Sequence, residues 1–148
     1  MNVEEIIKTE TKIPLKSRSI IHLFLVHNKV NDHLAKVLKP FEVSLQQFNV
    51  LRILRGRKGK PANLSTLNER MINKMSNTTR LVDKLLVKGY VDRAVCPSNR
   101  RKVEITITTE GEKVLRKMDR IIKHAEEELV HNFSSKELEQ LNLLLHKF

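Results

Sequence analysis

From Ser98 to Leu115 the chain reads "SNRRKVEITITTEGEKVL". Val103, Ile105 and Ile107 alternate with Lys102, Glu104 and Thr106, the period of two that sets one face of a strand on a core and the other in water. Thr108 or Thr109 then offers a cap for a helix in which Val114, Leu115, Met118, Ile121, Ile122, Ala125 and Leu129 return at helical spacing. Upstream, Val91 to Val95 is a second short β-branched run, and the six residues between the runs, "CPSNRR", are turn formers in a number too large for a tight hairpin. The reading is a two-stranded ribbon with a projecting basic tip, followed by a long helix.

Working outward, only four glycines and four prolines punctuate the 148 residues, so helices should dominate. "SNTTRLVDKLLVKG" reads as a helix with Leu81, Val82, Leu85 and Leu86 on one face and Gly89 as its stop. A shorter helix over "LSTLNERM" precedes it, with Leu64, Leu67 and Met71 inward. Two short helices joined by a tight turn, the second rich in small polar and basic residues, form a helix-turn-helix pattern. Before them, Ser44 and Gln47 make a capping box ahead of a helix with Phe48, Leu51 and Leu54 inward, stopped by Gly56 and Gly59 in "RGRKGKP". The first long helix should run from about Ser19 to Leu38, with Ile20, Leu23, Phe24, Val30, Leu34, Val37 and Leu38 as one buried stripe, and end at Pro40. Ser134 and Glu137 open a last helix carrying Leu138, Leu141, Leu144 and Leu145. The expected fold is mainly α, in the order α-α-α-α-β-β-α-α.

A net charge of +11 and a pI near 10.0 imply attraction to a polyanion. Between Ser65 and Lys102 nine basic residues (Arg70, Lys74, Arg80, Lys84, Lys88, Arg93, Arg100, Arg101, Lys102) face three acids (Glu69, Asp83, Asp92), so more than half of the net charge sits on the helix-turn-helix and ribbon. Double-stranded DNA is the polyanion such a surface fits, because releasing its counterions drives affinity. Outside the apolar face the fourth helix turns out Ser76, Asn77, Thr79, Arg80, Asp83 and Lys84; Asn and Arg are types that read base edges, while Ser, Thr and Lys hold phosphate. Arg100, Arg101 and Lys102 at the ribbon tip suit an adjacent, electronegative minor groove.

Other chemistry finds little support. The single cysteine, Cys96, allows no intramolecular disulfide framework and no Cys-rich zinc site. Beside Arg100 and Arg101 its thiolate would be favoured, yet an incidental thiol is the simpler reading. His22, His27, His33, His124, His131 and His146 include no pair at ligand spacing, so no metal is expected. The sequence presents no nucleophile with a base, no phosphate loop and no paired carboxylates, so neither an enzyme nor a cofactor is expected. No apolar run approaches the length of a membrane span, and the first fifteen residues lack a signal-peptide core. A cytoplasmic protein with no membrane role is expected, since the basic segments are flanked by Asn, Ser and Thr rather than by aromatic or leucine-rich faces.

"GYVDR" followed by "NRRKVEITITTEG" resembles the wing signature of the MarR (multiple antibiotic resistance regulator) family of winged helix-turn-helix transcriptional regulators. That pattern runs Asp, any residue, Arg, a strand, Leu-Thr, two residues, Gly; here Asn99 stands for the Asp, Arg101 for the Arg and Ile107 for the Leu, while Thr108 and Gly111 match. "LNERMINKMSNTTRLVDKLLVKGYVDR" is similar to the family's third helix, recognition helix and strand, and "SLQQFNVLRIL" to its second helix, with Thr78 where a small apolar residue is usual. The resemblance implies one domain over 1–148, with a winged helix-turn-helix over 44–108 and dimerisation helices over 17–40 and 109–148. It implies a recognition helix near 74–88, a wing near 95–103, and a homodimeric repressor on a pseudo-palindromic operator. Such proteins release DNA when a small anionic aromatic effector binds between the dimer helices and the winged part, and here His22, His27, Phe48 and Arg52 would contribute to that pocket.

The competing reading is an architectural or protein-interaction module with the same fold and no sequence preference. The wing reading makes a direct prediction. Arg101→Ala should weaken binding to a duplex and lower the dependence of log affinity on log salt by about one phosphate contact, measured by titration at several salt concentrations. Unchanged affinity and slope would refute it.

Overall fold

The computed structural model describes residues 2–96 and 99–148; the side chains of residues 96 and 99–102 lie outside that description. A short helix, α1 (Val3–Ile7), is capped by the Asn2 side chain and precedes the 24-residue α2 (Leu15–Leu38). A single 3-10 turn over Lys39–Phe41 leads to α3 (Leu45–Gly56). Then come α4 (Leu64–Arg70), α5 (Thr78–Val87), strands β1 (Val91–Cys96) and β2 (Asn99–Ile107), α6 (Thr109–Val130) and α7 (Ser135–Leu145).

The helix starts follow their caps. Ser44 and Ser134 each accept from the backbone N–H three residues on, while Gln47 and Glu137 return the bond to the cap residue's own N–H. Hydrogen bonds from Ser134 hold the Glu137 carboxyl below its ordinary range. α1 carries no period long enough to read from sequence; its buried Val3 and a bidentate Arg18 Nε to Glu4 contact (2.9 and 3.1 Å) hold it on α2.

β1 and β2 pair antiparallel, Val91 against Ile107 and Val95 against Val103, with a register break between Val95 and Cys96 and Cys96 against Asn99. The ladder therefore runs further than the alternation suggested, and Arg100, Arg101 and Lys102 belong to β2 rather than to a six-residue tip. Ile105 is fully buried and also exchanges two backbone bonds with Ala62 (2.9 and 2.7 Å), so the segment ahead of α4 pairs with the ribbon.

The core lies where α3, α5, the ribbon and the first half of α6 meet: Leu51, Leu54, Leu67, Met71, Val82, Leu85, Ile105, Leu115, Met118 and Ile122. Each fully buried leucine there contributes about 2 kcal/mol of transfer free energy. The expected stripe of α2 is a different matter. Only Leu38 is buried on it, while Ile20, Leu23 and Phe24 are exposed, Phe24 by 65%. α7 buries no residue, and Leu141, Leu143, Leu144 and Leu145 are exposed. The periods are present, but these ends of the chain reach beyond the core, so no element of the same chain covers them.

At the ribbon base Thr108 N–H donates to Tyr90 O (3.1 Å), its hydroxyl donates to Gly89 O (2.7 Å), and Gly111 N–H donates back to that hydroxyl (2.9 Å). This brings α6 so close to β1 that a Cβ on Gly111 would collide with Tyr90 O and lie 2.9 Å from Ile107 Cγ1. Gly111→Ala should therefore cost about 3 kcal/mol of stability, read as a lowered urea midpoint; a midpoint like wild type would contradict this packing.

Candidate nucleic-acid interface

The second helix of the helix-turn-helix starts later than its polar lead-in implied. Residues 74–77 lie outside it, and Asn77 is its N-cap, accepting from Arg80 N–H at 3.1 Å. The 74–88 boundary is thus corrected to Thr78–Val87. The cause is local: an Asn at this point satisfies an orphan N–H of the first turn better than it continues a helix. Asn77 is therefore bound into the cap through its oxygen, and Ser76 is half-buried in the turn rather than outward on the helix.

Two contacts fix this helix, and a third closes the end of α4 beside it. Thr78, where a small apolar residue was the familiar choice, is buried, and its hydroxyl donates to Asn68 Oδ1 at the end of α4. Lys74 Nζ reaches the Asn68 and Glu69 carbonyls, closing the same helix end. On the far side Asp83 Oδ1 accepts from Arg93 of β1 at 2.7 Å, tying helix to ribbon. With Val82 and Leu85 on the core, Thr79, Arg80, Asp83 and Lys84 stand exposed along the opposite face.

An open notch of about 430 Å³ separates the first turn of α3 from the start of α5. Ser76, Asn77, Arg80 and Lys84 all line it, as do Gln46 and Asn73, which the sequence reading did not select. Gln46 follows a cap in an ordinary amphipathic helix, and nothing in its own neighbourhood marks it. Thr79 lies outside the notch on the exposed face. Arg100, Arg101 and Lys102 were the expected wing contacts; their side chains, with that of Cys96, lie outside the described residues, although the backbone of 100–102 runs in β2.

A second cavity, about 320 Å³, opens among α2, α3, the turn after α4, and α6. His27, Phe48 and Arg52 line it, together with Asn31, Asn49, Met71 and Glu126. The Arg52 guanidinium sits 5.7 Å from the Phe48 ring centre, a cation–π distance. His22 is not among its lining residues; it lies on α2 one helical turn from Arg18, whose hydrogen bond holds the Glu4 carboxyl below its ordinary range. Among the described residues no three His, Cys, Asp or Glu side chains gather as metal ligands, and no helix is long and apolar enough to cross a membrane.

Residues 43–103, from the start of α3 into the second strand of the wing, match the family model described as MarR family. The winged part of the chain is thus similar to the MarR family. A MarR-like transcription regulator from Bacillus cereus is 25% identical over 90% of this chain and 96% of its own, with a TM-score of 0.80. A cysteine-to-serine mutant of MarR from E. coli, solved in complex with operator DNA, is 24% identical over 99% and 98% with a TM-score of 0.76. BpsR of Bordetella bronchiseptica, whose DNA binding is regulated by 6-hydroxynicotinic acid, shares the fold at 16% identity over 93% and 96% with a TM-score of 0.80. The winged helix-turn-helix expected from the ribbon stretch is thus the fold of this chain.

The Asn77 cap can be weighed separately from any ligand. Asn77→Ala should lower stability by about 1 kcal/mol, whereas Asn77→Asp, which keeps the capping oxygen, should stay near wild type in thermal melting. Equal melting of all three proteins would mean the cap contributes nothing.

Proposed function

We propose that this MarR-family chain is a cytoplasmic transcription regulator that binds double-stranded DNA sequence-specifically as a homodimer and represses, with release triggered by a small anionic aromatic ligand. The observation that carries the reading is the outer face of α5: Thr79, Arg80 and Lys84 exposed together on a helix whose other face is locked into the core and whose single acid is drawn off by Arg93. A helix of this width enters a major groove, where such side chains meet phosphates and base edges. The E. coli MarR solved with operator DNA supports DNA as the partner.

The uncovered apolar faces of α2 and α7 support a dimer, since patches of this extent on an otherwise charged protein mark association surfaces. The division would then be 44–108 as the DNA-binding part and 17–40 with 109–148 as the dimer helices. A two-fold dimer sets its two recognition helices on half-sites about 34 Å apart, one turn of the duplex. The cavity beside α2 suits the effector: Arg52 and His27 for an anionic group and Phe48 for an aromatic face. BpsR, a protein of this fold regulated by an aromatic acid, supports the ligand class.

Selection of duplexes from a random pool tests specificity and should return a site with inverted half-sites. Sedimentation should give twice the 17.2 kDa chain mass, and Leu144→Glu should yield monomers that bind the selected site at least about tenfold more weakly. Recovery of unselected sequence, with affinity equal on random duplex, would instead favour an architectural winged-helix module.

A further inference from the structure

We infer that the notch between α3 and α5 seats one backbone phosphate of the bound duplex, and that Gln46 and Asn73, both outside the recognition helix, are residues that position it. The inference rests on the DNA-binding reading and adds a division of labour within it.

Hydrogen-bonding chemistry selects the occupant. The Asn77 oxygen is committed to Arg80 N–H (3.1 Å), and the Asn73 oxygen accepts from Met75 N–H (3.0 Å). Each amide therefore has its NH₂ group left to offer. The Gln46 amide has no hydrogen bond to a described residue, and the Ser76 hydroxyl is buried without a partner. Arg80 and Lys84, one helical turn apart, add two cations, while no carboxylate lines the notch among the described residues. Asp83, the nearest acid on α5, is paired with Arg93.

The wall is thus rich in donors and positive charge. A base edge such as adenine's needs an acceptor and a donor side by side, which on this wall only the Gln46 amide still offers, whereas a phosphate presents acceptor oxygens only. A bare cation would meet the charges of Arg80 and Lys84 and no carboxylate to offset them. A phosphodiester oxygen would satisfy several donors at once, and charge-assisted bonds of this kind are the stronger ones. The outward Thr79, which the notch does not use, is left for the base edges.

The test is a methylphosphonate scan, in which each backbone phosphate of one binding duplex is neutralised in turn, against wild type and four variants. Wild type should lose about tenfold in affinity at one phosphate per half-site. Gln46→Ala and Lys84→Ala should be insensitive to that same neutralisation while remaining sensitive to the others. Lys84→Ala should lower the salt slope by about one, and Gln46→Ala should weaken selected and random duplexes equally with the slope unchanged, because a neutral donor releases no counterion. Asn73→Asp keeps the turn bond to Met75 and sets a carboxylate in the notch, so it should bind more weakly than Asn73→Ala at equal melting temperature. If the variants bind duplex as wild type does, or stay sensitive at every neutralised position, the phosphate seat is refuted with DNA binding intact. A wild type that binds no duplex overturns both readings.

Discussion

Two carbonyls, Gly89 O and Tyr90 O, join the winged part to the long helix that leaves it. Thr108 bonds to both, one with its hydroxyl and one with its backbone, and the same hydroxyl caps α6 by accepting from Gly111. The approach is close enough that only a hydrogen fits on the Gly111 α-carbon facing Tyr90. The direction of α6 is therefore set by the ribbon, and α6 in turn closes the core through Leu115, Met118 and Ile122. The Arg55 to Asp119 ion pair repeats the link half-way along, between α3 and α6. Built this way, the outer face of α5 and the long helix α6 are held in one frame.

Within that frame the start of α5 is the second constraint. A buried hydroxyl without a partner is costly, and Thr78 meets the condition by bonding to Asn68, which locks the two helices of the motif at their junction. The cap then falls on Asn77, and the residues before it fold into a turn that runs between the inner cavity and the outer notch. Gln46 and Asn73 line both spaces. The notch and the cavity thus share a wall two side chains wide.

Much of this was legible because the signals were local. The capping boxes at Ser44 and Ser134, the cap at Thr108, the stop at Gly89 with φ 68° and the alternation of Val103, Ile105 and Ile107 each depend on residues within a few positions of one another. The start of α5 misled because residues 74–76 are polar and helix-compatible, and only the competition between capping and continuation decides the boundary. The ribbon ran further than expected because turn-forming residues can enter a ladder once a register break absorbs the mismatch. Nothing near Val3 distinguished α1, whose five residues are held by Arg18 fourteen positions away.

By itself the amino-acid sequence determined the winged helix-turn-helix, the concentration of positive charge on it and the apolar periodicity of the end helices, since period, caps and charge are properties of neighbours along the chain. Tertiary structure decided what those faces meet. It left the stripes of α2 and α7 uncovered, drew Asp83 away to Arg93 and brought Gln46 beside Arg80 and Lys84. A notch or a cavity is made of residues from separate elements, and their distance is set by how the core packs; no spacing along the chain encodes it.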